Sequence, residues 1–219
     1  MKRLFFPALF VLIVSLSIMV PHVDARLAPK TILELYVDYD VVLVGEVTSI
    51  TEDPINRTTE YVIQVEKYMK NPQPSDTLTA VGQGTSQAST SVDRVFKVGD
   101  RVYLFLNDDN GFFSISLYSF NNDVIDVSIS SQKSIKEQIQ ERLGIAITSS
   151  VLDNDKFDPD YLMPSPLKLF KAHVSSDQIV CRDNLEKVIK ESTGAPACVK
   201  SDSVNKLVSS GWAKPKSSL

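Results

Sequence analysis

Two cysteines, one histidine beyond the first 25 residues, a glycine–serine loop and an aspartate-rich stretch are the parts of this chain that bear on chemistry. Cys181, Cys198 and His173 supply two thiolates and an imidazole, a set whose spacing matches no zinc signature. His173 is also the imidazole that a hydrolase would have to use, with a nearby serine or aspartate. No Gly-x-Ser-x-Gly elbow is present to expose such a serine, and His173 follows Lys171-Ala172 in a polar region, as a surface residue does. Gly82-Gln83-Gly84-Thr85-Ser86 offers backbone amides to a phosphate, yet it lacks the lysine of a Walker loop and the third glycine of a dinucleotide fingerprint. It reads as an exposed, flexible loop. Asp153-Asn154-Asp155-Lys156-Phe157-Asp158-Pro159-Asp160 looks like a calcium loop, but Phe157 stands where an oxygen is wanted and Asp158 where a glycine should turn the chain. It reads as solvated linker. Asn56-Arg57-Thr58 is an N-glycosylation acceptor triplet in an exposed turn. No catalytic residue, metal ligand or cofactor is expected.

The chain has 219 residues, 43% of them hydrophobic and 23% charged, which is a globular balance. Its net charge of -4 argues against nucleic-acid partners, which need a basic face. Residues 1–25 have the layout of a secretory signal: Lys2 and Arg3, an apolar run from Leu4 to Val20, then Val23-Asp24-Ala25 before cleavage between Ala25 and Arg26. The competing reading is an uncleaved anchor, because the apolar run is near the lower limit of a membrane span. That is the one route to a membrane in the sequence, and the expected location is secreted or at the cell surface. An exported compartment allows disulfides, so Cys181 and Cys198 are expected to be bonded to each other. A loop of that length contributes about 3 kcal/mol in the chain-entropy model.

The elements that must position these groups are mainly strands. Asp40 to Ile50 is β-branched and apolar on both faces at Val41–Val44, with Gly45 where alternation begins. A glycine there predicts a coiled first strand of a small barrel. Thr31 caps a short helix before it, and Thr58 to Tyr68 alternates, with Tyr61, Ile63 and Val65 on one face. Strands are also expected at Asp76–Gly82, Arg101–Leu106 and Phe113–Leu117, the last two joined by a turn over Asn107–Gly111. A short edge strand at 125–129 and a helix at 131–143 complete a domain spanning 26–148. Residues 149–166 read as a linker, 167–213 as a small α+β unit and 214–219 as a tail. In that unit Leu185–Ile189 and Ala197–Lys200 should form a hairpin, followed by a helix from Ser201 or Asp202 with Val204, Leu207 and Val208 inward and Trp212 in the core. Breaking the disulfide should loosen the unit and leave the barrel folded.

Strand order and the turn Phe96-Lys97-Val98-Gly99-Asp100-Arg101-Val102 resemble the OB-like barrel of the tissue-inhibitor-of-metalloproteinase superfamily. Inhibitors of that superfamily chelate a protease zinc through an amino-terminal cysteine. The mature start Arg26-Leu27-Ala28 has none, so the resemblance implies the fold without that mechanism. Ser165-Pro166-Leu167-Lys168-Leu169-Phe170-Lys171, Cys181, Gly194-Ala195-Pro196-Ala197-Cys198-Val199-Lys200 and Gly211-Trp212-Ala213 resemble a cysteine-paired segment recurrent in exported proteins of ammonia-oxidising archaea. Asn184 and Ser201 depart from it, where glycine and proline are usual. The expectation is therefore an exported, non-enzymatic binding or interaction module of the cell envelope. Its partner would be an envelope protein or a glycan. An exported hydrolase using His173 and a membrane-anchored structural protein are the alternatives.

Overall fold

The computed structural model describes residues 30–90, 93–121, 145–146 and 159–214. The signal segment with its Ala25–Arg26 junction, the edge strand at 125–129, the helix at 131–143 and most of the linker lie outside those residues. Strand β1 (Lys30–Thr31) pairs in parallel with β8 (Ile145–Ala146). Helix α1 (Ile32–Asp38) starts at Thr31, whose hydroxyl accepts from Glu34 N while the Glu34 carboxylate accepts from Thr31 N. This reciprocal capping box fixes where the helix begins.

Five strands then close a barrel: β2 (Val41–Asp53), β3 (Thr58–Lys70), β4 (Thr77–Gln83), β5 (Arg101–Asp109) and β6 (Phe112–Ile115). Their order is β2-β3-β4-β6-β5, and β5 returns to β2. All pairings are antiparallel except the short β4–β6 pair, which closes the ring in an OB-like topology. The β5–β6 connection is tighter than expected. β5 runs on to Asp109, and Asn110 (φ 55°) and Gly111 (φ 89°) alone make the turn, since two positive φ values match the twist of a two-residue hairpin. β7 (Phe120–Asn121) adds to the other end of β5.

β2 is apolar on both faces because two cores meet at it. Val41, Leu43 and Val47 enter the barrel with Ile63, Leu104 and Leu106. Val42 and Val44 point the other way, with Tyr103 and Phe105 of β5, and are covered by Leu35 and Tyr36 of α1 and by residues from the C-terminal third. Those include Leu169 of α2 (Pro166–Lys171), Val174 and Ile179. Residues of the 167–213 segment thus share this outer core with β2 and β5. Within 149–166, a 3₁₀ turn at Pro159–Leu162 leads into Leu162 and Met163, both in this outer core.

The expected hairpin is present as β9 (Leu185–Lys190) and β10 (Pro196–Lys200), and α3 (Ser201–Ser209) follows it. Trp212 is not a core residue: it is 38% exposed, with the Lys190 ammonium 5.7 Å from its ring centre. β11 (Ala213–Lys214) pairs with β9, and it is Ala213, the next residue, that is buried there. Lys214, expected in the tail, belongs to this strand. The described start of the loop after β4 is also better held than expected. Thr85 is buried, the Thr59 hydroxyl donates to Gly84 O, and Glu52 accepts from both Ser86 N and its hydroxyl.

The β2–β3 register shifts between Val42 and Leu43, between Val44 and Gly45, and between Val47 and Ser49, so β2 coils along its length. A Cβ at Gly45 would lie 2.5 Å from Gln64 O and 2.7 Å from Ile63 Cγ2. The oxygen is backbone and cannot step aside. Gly45→Val is therefore expected to cost at least 2 to 3 kcal/mol, roughly the upper range for overpacking, whereas the exposed Glu46→Ala should stay within about 0.5 kcal/mol. Matched denaturant melts measure both, and equal stabilities would contradict the close strand approach.

Candidate functional site

A cleft of about 410 Å³ lies between the chain entering α2 and the β9–β10 hairpin. Met163, Pro164, Pro166 and Leu167 form one wall. The other is formed by Leu185, Pro196, Ala197 and Cys198, and Val180 and Arg182 line the end near Cys181. Three prolines stiffen this lining, because their φ is fixed before anything binds. Leu167 is 48% exposed.

Three polar devices hold the walls. The disulfide joins Cys181 to Cys198 with a Cα–Cα distance of 5.6 Å. It ties β10 to the segment that carries Arg182, whose Nη2 donates to Met163 O at 3.1 Å. Lys187 Nζ donates to the carbonyls of Ser176, Asp177 and Ile179, so β9 grips the turn preceding Cys181. Lys67 reaches from β3 to Asp160 Oδ1 (2.5 Å) and Asp183 Oδ1 (2.6 Å). Asp183 N also donates to Asp160 Oδ2. Burial opposes the charge on Lys67, but hydrogen bonds and attraction from Asp160 and Asp183 outweigh it and hold its pKa above the ordinary lysine value. Beneath lies the Tyr36 hydroxyl, fully buried without a hydrogen-bond partner among the described residues. Burial, and then the Asp160 charge, push its pKa far above the usual phenol range, while Arg182 pulls the other way.

Cys181 and Cys198 are the sequence-predicted residues that this arrangement brings together. Asn184 takes a left-handed φ of 63°, which asparagine tolerates. His173 has a different role. It is exposed, with φ 68°, immediately after α2; its N–H donates to Phe170 O and that of Val174 to Leu169 O. This is the Schellman arrangement, and it places His173 at the helix-terminating position. The amides of the Gly82–Ser86 loop are already engaged: Gly84 N donates to Arg57 O, Thr85 N to Ala88 O and Ser86 N to Glu52. Of the aspartate-rich stretch, Asp160 belongs to the Lys67 cluster, and residues 151–158 lie outside those described. Among the described residues no group of three or more His, Cys, Asp or Glu side chains gathers to hold a metal. Asn56 is exposed at the tip of the β2–β3 hairpin, and its Nδ2 donates to Asp53 Oδ2 at 2.7 Å. Among the described residues no helix is long and apolar enough to cross a membrane.

Arg182 and Lys67, and the role of Asp160, were not found from sequence. Arg182 adjoins a cysteine, which is one usable signal; Lys67 lies 93 and 116 positions from its partners, and no local pattern connects them. The class of protein defined so far is an OB-like barrel carrying a disulfide-closed C-terminal layer. No protein-family model matches the chain, and no curated protein matches it.

Removing the Lys67 ammonium takes a positive charge away from Asp160, whose side chain is only 14% exposed, while the bond from Asp183 N remains. Lys67→Met is expected to cost about 2 kcal/mol near neutral pH, below the 3–5 kcal/mol of a fully buried pair because Asp183 stays solvated. A raised folded pKa makes this contribution complete below the unfolded lysine value of about 10.4 and removes it as pH rises through the folded pKa. Denaturant melts of both proteins from pH 7 to 11 should show the gap closing at the alkaline end. A gap that widens there would contradict the ion-pair clamp.

Proposed function

We propose that the chain is an exported, non-enzymatic binding module of the cell envelope that takes a protein partner in the cleft between α2 and the β9–β10 hairpin. The observation that carries this reading is the apolar, proline-stiffened cleft with Leu167 half exposed on its wall. Preformed apolar concavities with a few polar groups are where ligands bind most often. Burying the exposed part of a leucine on association is favourable by about 1 kcal/mol or more. The charged group lining the cleft is Arg182, and arginine is enriched at protein interfaces. A glycan would ask for a polar, hydrogen-bonding floor, and this one is mostly aliphatic, which favours a protein.

Export is supported by the disulfide, which persists in oxidising compartments, and by the signal layout of residues 1–25. The same placement follows from the resemblance of the 165–213 segment to a unit of exported archaeal proteins. Strand order and the Phe96–Val102 turn carry the resemblance to the metalloproteinase-inhibitor barrel; Gly99 N of that turn donates to Val47 O, and Asp100 O accepts from Val47 N, docking it on β2. Asn56, at the far-projecting tip, is a glycan acceptor in such a compartment.

A photo-crosslinking residue placed at Leu167, with another at the exposed Phe112 as control, tests the cleft in the mature protein on its own cell envelopes. A discrete protein adduct at 167 and none at 112 is the expected result. Equal adducts at both positions, or none at either, would rule out the cleft as the binding surface.

A further inference from the structure

Resting on that reading, we infer that the partner enters the cleft as an extended peptide that adds a strand to the free edge of β10, with an acidic group placed on Arg182. The C-terminal sheet runs β10-β9-β11, so among the described residues β10 is an edge. Lys190 N donates to Ala195 O at 2.9 Å, and β9 and β10 are paired with Val188 opposite Ala197 and Glu186 opposite Val199. Antiparallel pairs alternate between hydrogen-bonded and non-hydrogen-bonded positions. Ala197 and Val199 therefore direct their main-chain groups to β9, while Pro196 and Cys198 turn theirs outward. Pro196 fits that phase, because a proline in a sheet belongs where no ladder N–H is required. On the other side of β9, Glu191 N donates to Trp212 O and Ile189 faces Lys214, which confirms the alternation.

The outward groups are the Pro196 carbonyl and the N–H and carbonyl of Cys198. Among the described residues no backbone or side-chain group bonds to them. Pro196, Ala197 and Cys198 line the cleft, Pro196 buried and the other two half-buried. An unpaired strand edge beside apolar side chains is a template for an extended chain: main-chain hydrogen bonds supply affinity and every second side chain fills the apolar wall. Arg182 adds the charge preference. Its guanidinium is steered by the Met163 carbonyl, and the residue is otherwise exposed. A carboxylate is the group that a planar guanidinium pairs with best.

The probe is a fluorescein-labelled peptide, Val-Thr-Val-Glu-Val-Thr-Val, titrated into the mature, oxidised protein. Three arms accompany it: the peptide N-methylated at alternate amides in either phase, the peptide with glutamine for glutamate, and the Arg182→Ala protein. Saturable binding is expected, with the Cys198 amide newly protected from hydrogen exchange. One N-methylated phase should bind at least tenfold more weakly, and Arg182→Ala should reduce the glutamate preference to about unity. Equal binding of both N-methylated phases would overturn strand addition and leave the cleft as an apolar side-chain site. Absence of any peptide binding, in a protein that still gives the Leu167 envelope adduct, would overturn the extended-peptide inference while the module reading stands. Failure of the adduct itself is the outcome that removes the module reading.

Discussion

Val42 and Val44 point away from the barrel interior, and leaving two β-branched side chains against water at the centre of a sheet is unfavourable by about 1.5 kcal/mol or more each. Their neighbours on β5, Tyr103 and Phe105, face the same way. The barrel therefore has an outer wall as apolar as its filling, and that wall must be covered. α1 covers part of it, with the Tyr36 ring edge-on to Phe105 at 6.3 Å. The rest is covered by Met163, Leu169, Val174 and Ile179, which come from more than 40 positions beyond the last barrel strand. A second backbone link fixes the cover: Lys70 bridges to Ile179, and Asn71 N donates to Gln178 O.

Once the cover is in place, the polar devices and the cleft follow from it. Lys67 extends from β3 to the two aspartates that flank the cover, and Lys70 carries a buried amine that donates to Tyr39 O. Burial depresses the Lys70 pKa, against the attraction of Asp40 and Asp38. The hairpin β9–β10 then packs beside α2 and leaves the cleft where the two do not fill the space. The disulfide and Lys187 hold the hairpin to the cover rather than to the barrel. Cleft and barrel are thereby separated: the barrel is filled by its own side chains, and the cleft lies on the layer stapled to it.

Much of this was legible in the residues. Four consecutive apolar residues before Gly45 indicate a strand buried on both faces, and the glycine marks where the strand must approach β3. The disulfide follows from an even cysteine pair in a chain that opens with the layout of a secretory signal, and the hairpin and α3 follow from alternation and helical spacing. The cover was not legible for a physical reason. Leu162 and Met163 sit on and just after a single 3₁₀ turn, too short to show a period, among prolines and aspartates that read as solvated. Trp212 misled in the opposite sense, since its size suggests burial while strand pairing of Ala213 leaves it outside. Thr85 in a small polar loop is buried because Glu52, on the projecting end of β2, takes hold of Ser86. The cleft itself arises from pairings between distant segments, which local sequence does not encode.

The central claim is that the barrel and the C-terminal cover share one core through the outer face of β2. Native-state hydrogen exchange in increasing denaturant tests it most directly, by following the Val44 amide in β2 beside the Leu169 and Val174 amides, which donate to Ser165 O and Leu169 O. A shared core predicts that all three merge into a single opening with the free energy of global unfolding. Exchange of Leu169 and Val174 through a separate, lower-energy opening, with Val44 still protected, would show that the cover is an independent unit and contradict the claim.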